Sequence, residues 1–204
     1  MAELTMLRRS PLAELTDKLR DGAVTGDRQV RVSERRFTTM LSLRVDPTSP
    51  AVGAIEGVLG TALPRTAGAV GSHGQHSVLW QGPDEWLVLS QVPADALVEA
   101  LMTGVAGAHA AVVDVSANRT ALELTGTSAR AVLQKGCPLD LHPRAFGPGR
   151  AVGTTLARIP LVLWQIGQDS YLLLPRASFA DYVARWLLDA SREFGSDAED
   201  GIGR

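Results

Sequence analysis

The segment 135–143 concentrates reactive side chains more densely than the rest of this 204-residue sequence. It holds the only cysteine of the chain, in the order Lys135, Gly136, Cys137, Pro138, Leu139, Asp140, Leu141, His142 and Pro143. A thiol, a carboxylate and an imidazole are the components of an activated cysteine nucleophile or of a partial metal site. However, catalytic groups usually come from separate elements, and a lone cysteine is commonly a small buried apolar residue. The segment therefore favours a structural turn with a partly buried thiol over a Cys-His hydrolase.

The residues before this segment predict a strand and a helix that lead into it. Residues 119–124 alternate in polarity like a strand, and residues 129–134 form a helix that Thr127 or Ser128 can cap. Gly136 suits the left-handed position that closes many helices, and Pro138 cannot continue a helix because it has no N–H. The reactive segment therefore begins where a helix ends.

The composition indicates a globular chain and excludes several classes of function. Hydrophobic residues make up 45% of the sequence, and the formal net charge is −2 without long blocks of like charge. This charge gives no footprint for nucleic acid or for an anionic membrane. A single cysteine cannot form an internal disulfide, and neither a signal peptide nor a run of eighteen apolar residues is present. We therefore expect a cytoplasmic protein without nucleic-acid or membrane partners.

The first part of the chain predicts an arm, a strand, a helix and a loop. Residues 1–27 are expected to lie over the fold rather than in its core. Residues 37–45 alternate as a strand, and a helix follows from Ser49 to a stop at Gly60. Residues 61–77 are rich in glycine and predict a long connecting loop.

Two functional interpretations of that loop are weak. Its glycines are spaced G-x-x-G-x-x-G, which is not the dinucleotide fingerprint and is not placed between a strand and a helix. His73 and His76 form an H-x-x-H pair, but this supplies two ligands where a structural zinc site needs four. A solvated or partner-contacting loop is the better interpretation.

The remaining elements predict hairpins and helices in alternation. Apolar runs 78–80 and 85–90 indicate a hairpin with Trp80 and Trp86 at its shoulders. A helix follows over 93–102, and runs 110–115 and 119–124 repeat the hairpin pattern. Strands at 154–157, 161–166 and 170–174 precede a last helix over 178–194, capped by Ser178.

This order predicts an α+β fold made of two successive split β-α-β, ferredoxin-like halves with mostly antiparallel sheets. The N-terminal arm covers residues 1–27, the first half 28–118 and the second half 119–194. Residues 195–204 are expected to be a disordered tail.

Three motifs in this order resemble the gamma subunit of bacterial heterotetrameric sarcosine oxidase. They are the segments 82–87 (GPDEWL), 114–120 (DVSANRT) and 135–143, followed by 176–180 (RASFA) before the last helix. The resemblance spans about residues 10–194. It also implies a fold like the folate-binding domain of the aminomethyltransferases, which agrees with the split β-α-β halves.

The resemblance implies a small non-catalytic subunit in a complex that oxidatively demethylates sarcosine to glycine. Such a complex carries FAD, covalent FMN and NAD on larger flavoprotein subunits, uses tetrahydrofolate to capture the one-carbon unit, and includes a small zinc-binding subunit. No cofactor, metal or catalytic residue is expected on this chain. The alternative is a free-standing folate-binding protein of the Lys-Gly-Cys type, in which Cys137 is a working thiol.

The matched residues imply structural or interface roles. Trp80 and Trp86 are interface candidates because tryptophan is enriched in interface anchors, and Arg119 is a candidate as part of the matched segment 114–120. In the 135–143 segment, Asp140 is expected to accept backbone N–H bonds and His142 to bond a neighbouring carbonyl. Lys135 is either a solvated cation at the helix end or an ion-pair donor to another subunit.

Overall fold

The computed structural model of the chain describes residues 8–105 and 107–195. A 3-10 turn (Ala13–Leu15) precedes the helices, which are α1 (Thr16–Asp21), α2 (Ala51–Leu59), α3 (Ala94–Gly104), α4 (Ala129–Gln134) and α5 (Ala180–Gly195). The strands are β1 (Arg31–Glu34), β2 (Thr39–Val45), β3 (Val70–His73), β4 (His76–Gly82), β5 (Glu85–Ser90), β6 (Ala110–Asp114), β7 (Leu122–Thr125), β8 (Arg150–Leu156), β9 (Ile159–Gly167) and β10 (Ser170–Pro175).

These strands form two five-stranded sheets whose pairings among the described residues are all antiparallel. The first sheet has the order β3-β4-β5-β2-β6, and the second has the order β8-β9-β10-β7-β1. The two orders correspond strand by strand, so each half is a split β-α-β unit with one added hairpin strand. The predicted α+β class with two ferredoxin-like halves is confirmed.

The strand that completes the second half comes from the beginning of the chain. β1 pairs with β7, and Val32 lies opposite Leu124. This corrects the grouping of residues 28–118, because strand 31–34 belongs to the sheet of the second half. Its position in the sequence suggested that this strand belonged to the first half. Its partner strand lies more than eighty residues away, so no local sequence pattern could indicate the pairing.

Helices cover the outer face of each sheet, and the inner faces pack against each other. One core lies between the first sheet and helices α2 and α3, and another lies between the second sheet and α1, α4 and α5. A third apolar cluster joins the sheets, with Met40 and Leu87 from the first and Val162 and Leu172 from the second. The chain is therefore a four-layer sandwich in which the central strands β5 and β10 are buried on both faces.

The N-terminal arm contributes to the core, contrary to the expectation that it only covers the fold. Leu12, Leu15 and Leu19 are at most 4% exposed and lie in the core of the second half. Their spacing of three and four residues places them on one face of the 3-10 turn and α1. Arm residues 1–7 lie outside the described residues.

Two further predictions of strand order are wrong. The expected loop over 61–77 contains β3, because Val70 pairs with Leu79 and Gly74, at φ 54°, permits a tight turn into β4. The expected hairpin between 110–115 and 119–124 does not form, since β6 pairs with β2 whereas β7 pairs with β1 and β10. The intervening segment instead carries the chain from one sheet to the other.

Other boundaries agree with expectation or shift by a few residues. The hairpin with strands β4 and β5 and the antiparallel set β8–β9–β10 are confirmed, and Gly60 ends α2 in the left-handed conformation at φ 68°. Helix α5 begins at Ala180 after a 3-10 turn over Ala177–Phe179, so Ser178 lies inside that turn rather than at the cap. Gly195 belongs to α5, and tail residues 196–204 lie outside the described part.

Candidate functional site

Segment 135–143 closes helix α4 with a tight turn, but Gly136 is needed for space rather than for a left-handed backbone. The N–H groups of Gly136 and Cys137 both donate to the Leu133 carbonyl, at 3.1 and 2.9 Å. The φ of Gly136 is not positive, which corrects the predicted left-handed closure. A Cβ at this position would lie 2.6 Å from Cζ2 of Trp186 on α5. Gly136 therefore lets the turn approach the last helix closely.

The Cys137 thiol is buried in the core of the second half. The residue is 9% exposed, and its Sγ lies 3.8 Å from Oγ1 of Thr154 on β8. A reactive cysteine needs a partly exposed, electropositive surrounding. The burial of Cys137 instead suits a small apolar residue that fills the space under the turn.

Asp140 and His142 stabilise the backbone that follows the thiol. The carboxylate of Asp140 accepts a hydrogen bond from the N–H of His142 at 2.9 Å, as its place after Pro138 predicts. His142 acts as an acceptor, because its Nδ1 receives the N–H of Arg144 at 3.2 Å. Among the described residues the hydrogen bonds of its ring are with Arg144, and the expected bond to a neighbouring carbonyl is not found there. Both side chains are exposed and take part in local turn contacts.

Lys135 binds the last helix of its own chain, which neither of the two predicted alternatives included. Its Nζ lies 3.1 Å from the Glu193 carboxylate, donates to the Ala190 carbonyl and sits 4.9 Å from the centre of the Phe194 ring. A cation at the C-terminal end of α5 also interacts favourably with the helix dipole. Lys135 thus joins the end of α4 to the end of α5.

The reactive groups of this segment are therefore engaged separately rather than aimed at a common point. Cys137 contacts Thr154, Asp140 binds a backbone N–H, and His142 accepts one. Among residues 8–105 and 107–195, no group of three or more His, Cys, Asp or Glu side chains is arranged to hold a metal ion. The arrangement provides a rigid link between β8, α4 and α5.

His73 and His76 lie opposite each other at the end of the β3–β4 hairpin. Burial, and to a lesser extent the neighbouring His73, lower the pKa of His76 below its ordinary value. The Nδ1 of His76 is buried and has no hydrogen-bond partner among the described residues. The lowered pKa of His76 thus favours its neutral ring at the sheet edge.

The two tryptophans of the β4–β5 hairpin face each other across the strand pair but differ in burial. Trp86 is 1% exposed, and its Nε1–H donates to the Pro64 carbonyl at 2.7 Å. Trp80 is partly buried and packs against the same core. Trp86 is thus a core residue of the first half, and Trp80 keeps an accessible edge.

Arg119 lies at the crossing between the two halves and lines a cleft that the sequence did not indicate. The cleft has a volume of about 220 Å³ and is lined, among others, by Arg8, Arg9, Arg35, Phe37, Arg119 and Thr120. We refer to it as the arginine cleft. Its walls come from the chain before α1, from the β1–β2 connection and from the crossing segment 115–121. These three segments are distant in sequence, so no local pattern could place them together.

The arginines of this cleft differ in their partners. Arg35 forms a two-bond pair with Glu123 at 2.7 and 2.9 Å, and Arg9 pairs with Glu14 at 2.6 Å. Arg119 donates one hydrogen bond to the Leu174 carbonyl at 3.0 Å and forms no ion pair with the residues that the structure describes. Burial lowers the pKa of Arg119, the neighbouring Arg176 lowers it further, and Glu85 partly offsets this effect. Arg119 is consequently a half-buried cation with little charge compensation.

Phe37 stands at the cleft in a conformation that the predicted strand does not allow. The strand begins at Thr39, and Phe37 precedes it with φ 56° and 51% of its surface exposed. The guanidinium of Arg8 lies 5.0 Å from the centre of its ring. A bulky side chain at positive φ is strained, and such strain is often found at functional sites.

Across the described part of the chain, every helix is too short or too polar to serve as a membrane span.

Comparison with known proteins gives consistent matches over almost the whole chain. The chain is 43% identical to the sarcosine oxidase subunit gamma of Corynebacterium sp. strain U-96 over 197 residues, which are 96% of each protein. It is also 43% identical to the subunit gamma from an Arthrobacter species, again over 96% of each.

Solved structures include a chain of heterotetrameric sarcosine oxidase from Corynebacterium sp. U-96 in complex with pyrrole 2-carboxylate. It superposes with a TM-score of 0.90 at 43% identity and covers 94% of this chain and 98% of that one. Glycine cleavage system aminomethyltransferase T from Bartonella henselae has a TM-score of 0.64 at 16% identity, covering 91% of this chain and 58% of that protein. The second likeness shows a shared fold. The description "Sarcosine oxidase, gamma subunit family" matches residues 44–193, and with the near full-length relatives this shows that the chain belongs to that family.

Proposed function

We propose that this chain is the small gamma subunit of a heterotetrameric sarcosine oxidase, and that it assembles and stabilises the complex without taking part in catalysis. The observation that carries the proposal is its 43% identity, over 96% of its length, to a protein named sarcosine oxidase subunit gamma. The complex would oxidatively demethylate sarcosine to glycine, with tetrahydrofolate capturing the one-carbon unit.

The partners in this proposal are larger flavoprotein subunits and a small zinc-binding subunit. FAD, FMN and NAD would be held by the larger subunits. Trp80, with an edge left accessible at the first-half hairpin, and Arg119, with little charge compensation, are the candidate contact residues on this chain.

The geometry of segment 135–143 supports a structural role. Cys137 is buried, and Asp140 and His142 are used in the turn that follows it. A cysteine nucleophile needs a base within hydrogen-bond reach, and the recorded neighbour of the thiol is the Thr154 hydroxyl. The segment therefore supports the packing of α4 against β8 and α5.

Co-expression of the four subunits tests the proposal. With a tag on a larger subunit, we expect this chain to co-purify in a fixed ratio, and we expect Cys137→Ala to leave sarcosine-dependent oxygen consumption unchanged. Omitting the chain should lower the yield and the melting temperature of the remaining complex. Absence of the chain from the purified complex would refute the subunit assignment.

The catalytic question has its own control. Cys137→Ala removes the thiol, whereas Thr154→Val removes the hydroxyl that it contacts and leaves the thiol in place. If Cys137→Ala abolished turnover in an intact complex while Thr154→Val did not, the non-catalytic role would be wrong.

A further inference from the structure

We propose that the arginine cleft is the docking site for an acidic segment of a partner subunit, whose carboxylate lies between Arg8 and Arg119 and whose adjacent apolar side chain packs on Phe37. This docking site rests on the proposed assembly function, for which the arginine cleft would supply the contact surface and its cations the attraction to a partner carboxylate. The occupant is a protein segment rather than a free ion because the cleft combines cations with an exposed aromatic ring.

The cleft carries an excess of positive charge. Four arginines and one acid, Glu34, line the cleft. The Glu34 carboxylate already accepts a hydrogen bond from the Ser10 hydroxyl and lies 3.6 Å from Arg36. Arg9 and Arg35 have carboxylate partners, whereas Arg8 and Arg119 form no ion pair in the described part of the chain. Two cations without an ion pair on one concave surface, of which Arg119 is only partly compensated by Glu85, attract a carboxylate from outside.

The wall of the cleft contains a hydroxyl group without a hydrogen-bond partner among the described residues. Thr120 is 4% exposed, and its hydroxyl oxygen is buried without a hydrogen-bond partner among the described residues. Buried hydroxyls are normally hydrogen-bonded, and leaving one unpaired is unfavourable. Thr120 and Arg119 both line the cleft, so an occupant of the cleft lies against the wall that holds this hydroxyl.

The cleft also contains an exposed aromatic ring on a strained backbone. Phe37 keeps a positive φ, which glycine or asparagine adopts at less cost, and half of its surface remains accessible. The Arg8 guanidinium lies over the ring, 5.0 Å from its centre. An arginine next to an exposed aromatic side chain is a typical anchor pair of protein interfaces.

The experiment uses the co-expressed four-subunit complex with the tag on a larger subunit. Arg8→Glu and Arg119→Glu place repulsive charge in the cleft, and the matched control Arg144→Glu makes the same change on an exposed loop outside it. We expect each cleft variant to weaken retention of this chain at least about tenfold in a salt-gradient wash, and the control to leave retention unchanged.

Phe37→Gly separates docking from folding. Glycine fits the left-handed backbone, so this variant should unfold at the same or a higher urea concentration than the wild-type chain while its retention falls several-fold. Lower retention with unchanged stability cannot be explained by a damaged fold. Phe37→Gly therefore still tests the docking site if Arg119→Glu fails to fold after losing its bond to the Leu174 carbonyl.

The outcomes distinguish this inference from the proposed function. Normal retention of Arg8→Glu and Phe37→Gly, with wild-type co-purification intact, would overturn the docking site and leave the assembly role standing. Failure of the wild-type chain to co-purify would overturn both. If the variants assembled normally and succinate raised the melting temperature of the wild-type chain but not of Arg8→Glu, the cleft would bind a free carboxylate and the docking proposal would be wrong.

Discussion

Gly136→Ala should destabilise the chain by about 2 kcal/mol, because the space beside Gly136 is occupied by the ring of Trp186. The added Cβ would lie 2.6 Å from Cζ2 and 2.9 Å from Cη2 of the indole, and 3.3 Å from the Ala157 nitrogen. Carbon atoms pack at roughly 3.5–4.0 Å, so the ring or the turn must move by about 1 Å. Overpacking of this kind costs about 1–3 kcal/mol.

Urea unfolding followed by far-UV circular dichroism measures this cost. At this chain length, 2 kcal/mol corresponds to a melting temperature lower by about 4–8 °C. Gly147→Ala is the matched control, since its Cβ would meet only the Pro143 carbonyl at an ordinary 3.5 Å. We expect the control to stay within about 0.5 kcal/mol of the wild-type chain.

A double-mutant cycle identifies the cause. Trp186→Phe removes the edge of the indole that the new methyl group meets, so Gly136→Ala should cost less than about half as much in that background. If Gly136→Ala unfolded at the wild-type urea concentration, or cost the same with phenylalanine at position 186, the steric explanation would be refuted.

Three other predictions concern a turn, a core and a titrating side chain. Arg158→Gly should stabilise by about 1 kcal/mol, because Arg158 holds φ 74° in the β8–β9 turn; a lower melting temperature would contradict this. Trp86→Phe should destabilise by about 2 kcal/mol in urea, since the Pro64 carbonyl loses its indole donor; an unchanged midpoint would show that this bond contributes little. Because the pKa of His76 is lowered in the folded chain, the unfolded chain takes up this proton at a higher pH than the folded chain does as the pH falls. The free energy of unfolding is therefore unaffected by His76 above pH 6.5 and declines below it. His76→Gln should flatten that decline in urea midpoints between about pH 7 and about pH 5, and an identical slope would argue against His76 as its source.

Local signals in the sequence were sufficient for the elements that pair with near neighbours. The β4–β5 hairpin and helix α4, at Ala129–Gln134, agree with the spacing of their apolar residues and with the turn residues between them. The same signal was available in the N-terminal arm, where Leu12, Leu15 and Leu19 form a helical stripe, although the arm was expected to lie over the fold rather than in its core.

Features that depend on distant contacts could not be predicted. Gly136 looks like a helix stop in sequence, and only the position of Trp186 shows that space is the requirement. Lys135 reaches Glu193 and Phe194 on another helix, so local reasoning about the helix end missed both partners. The arginine cleft combines segments around residues 8, 37 and 119, and no spacing rule connects them.

The pairing of β1 with β7 has a consequence for synthesis of the chain. The ribosome releases β1 early, but its partner emerges only after the whole first sheet has been made. An apolar strand without a partner is open to pairing with other chains. During translation, β1 therefore stays unpaired until residues 122–125 have been synthesised. Cutting the polypeptide between the two halves would leave one fragment with an unpaired β1 and the other with an exposed edge at β7.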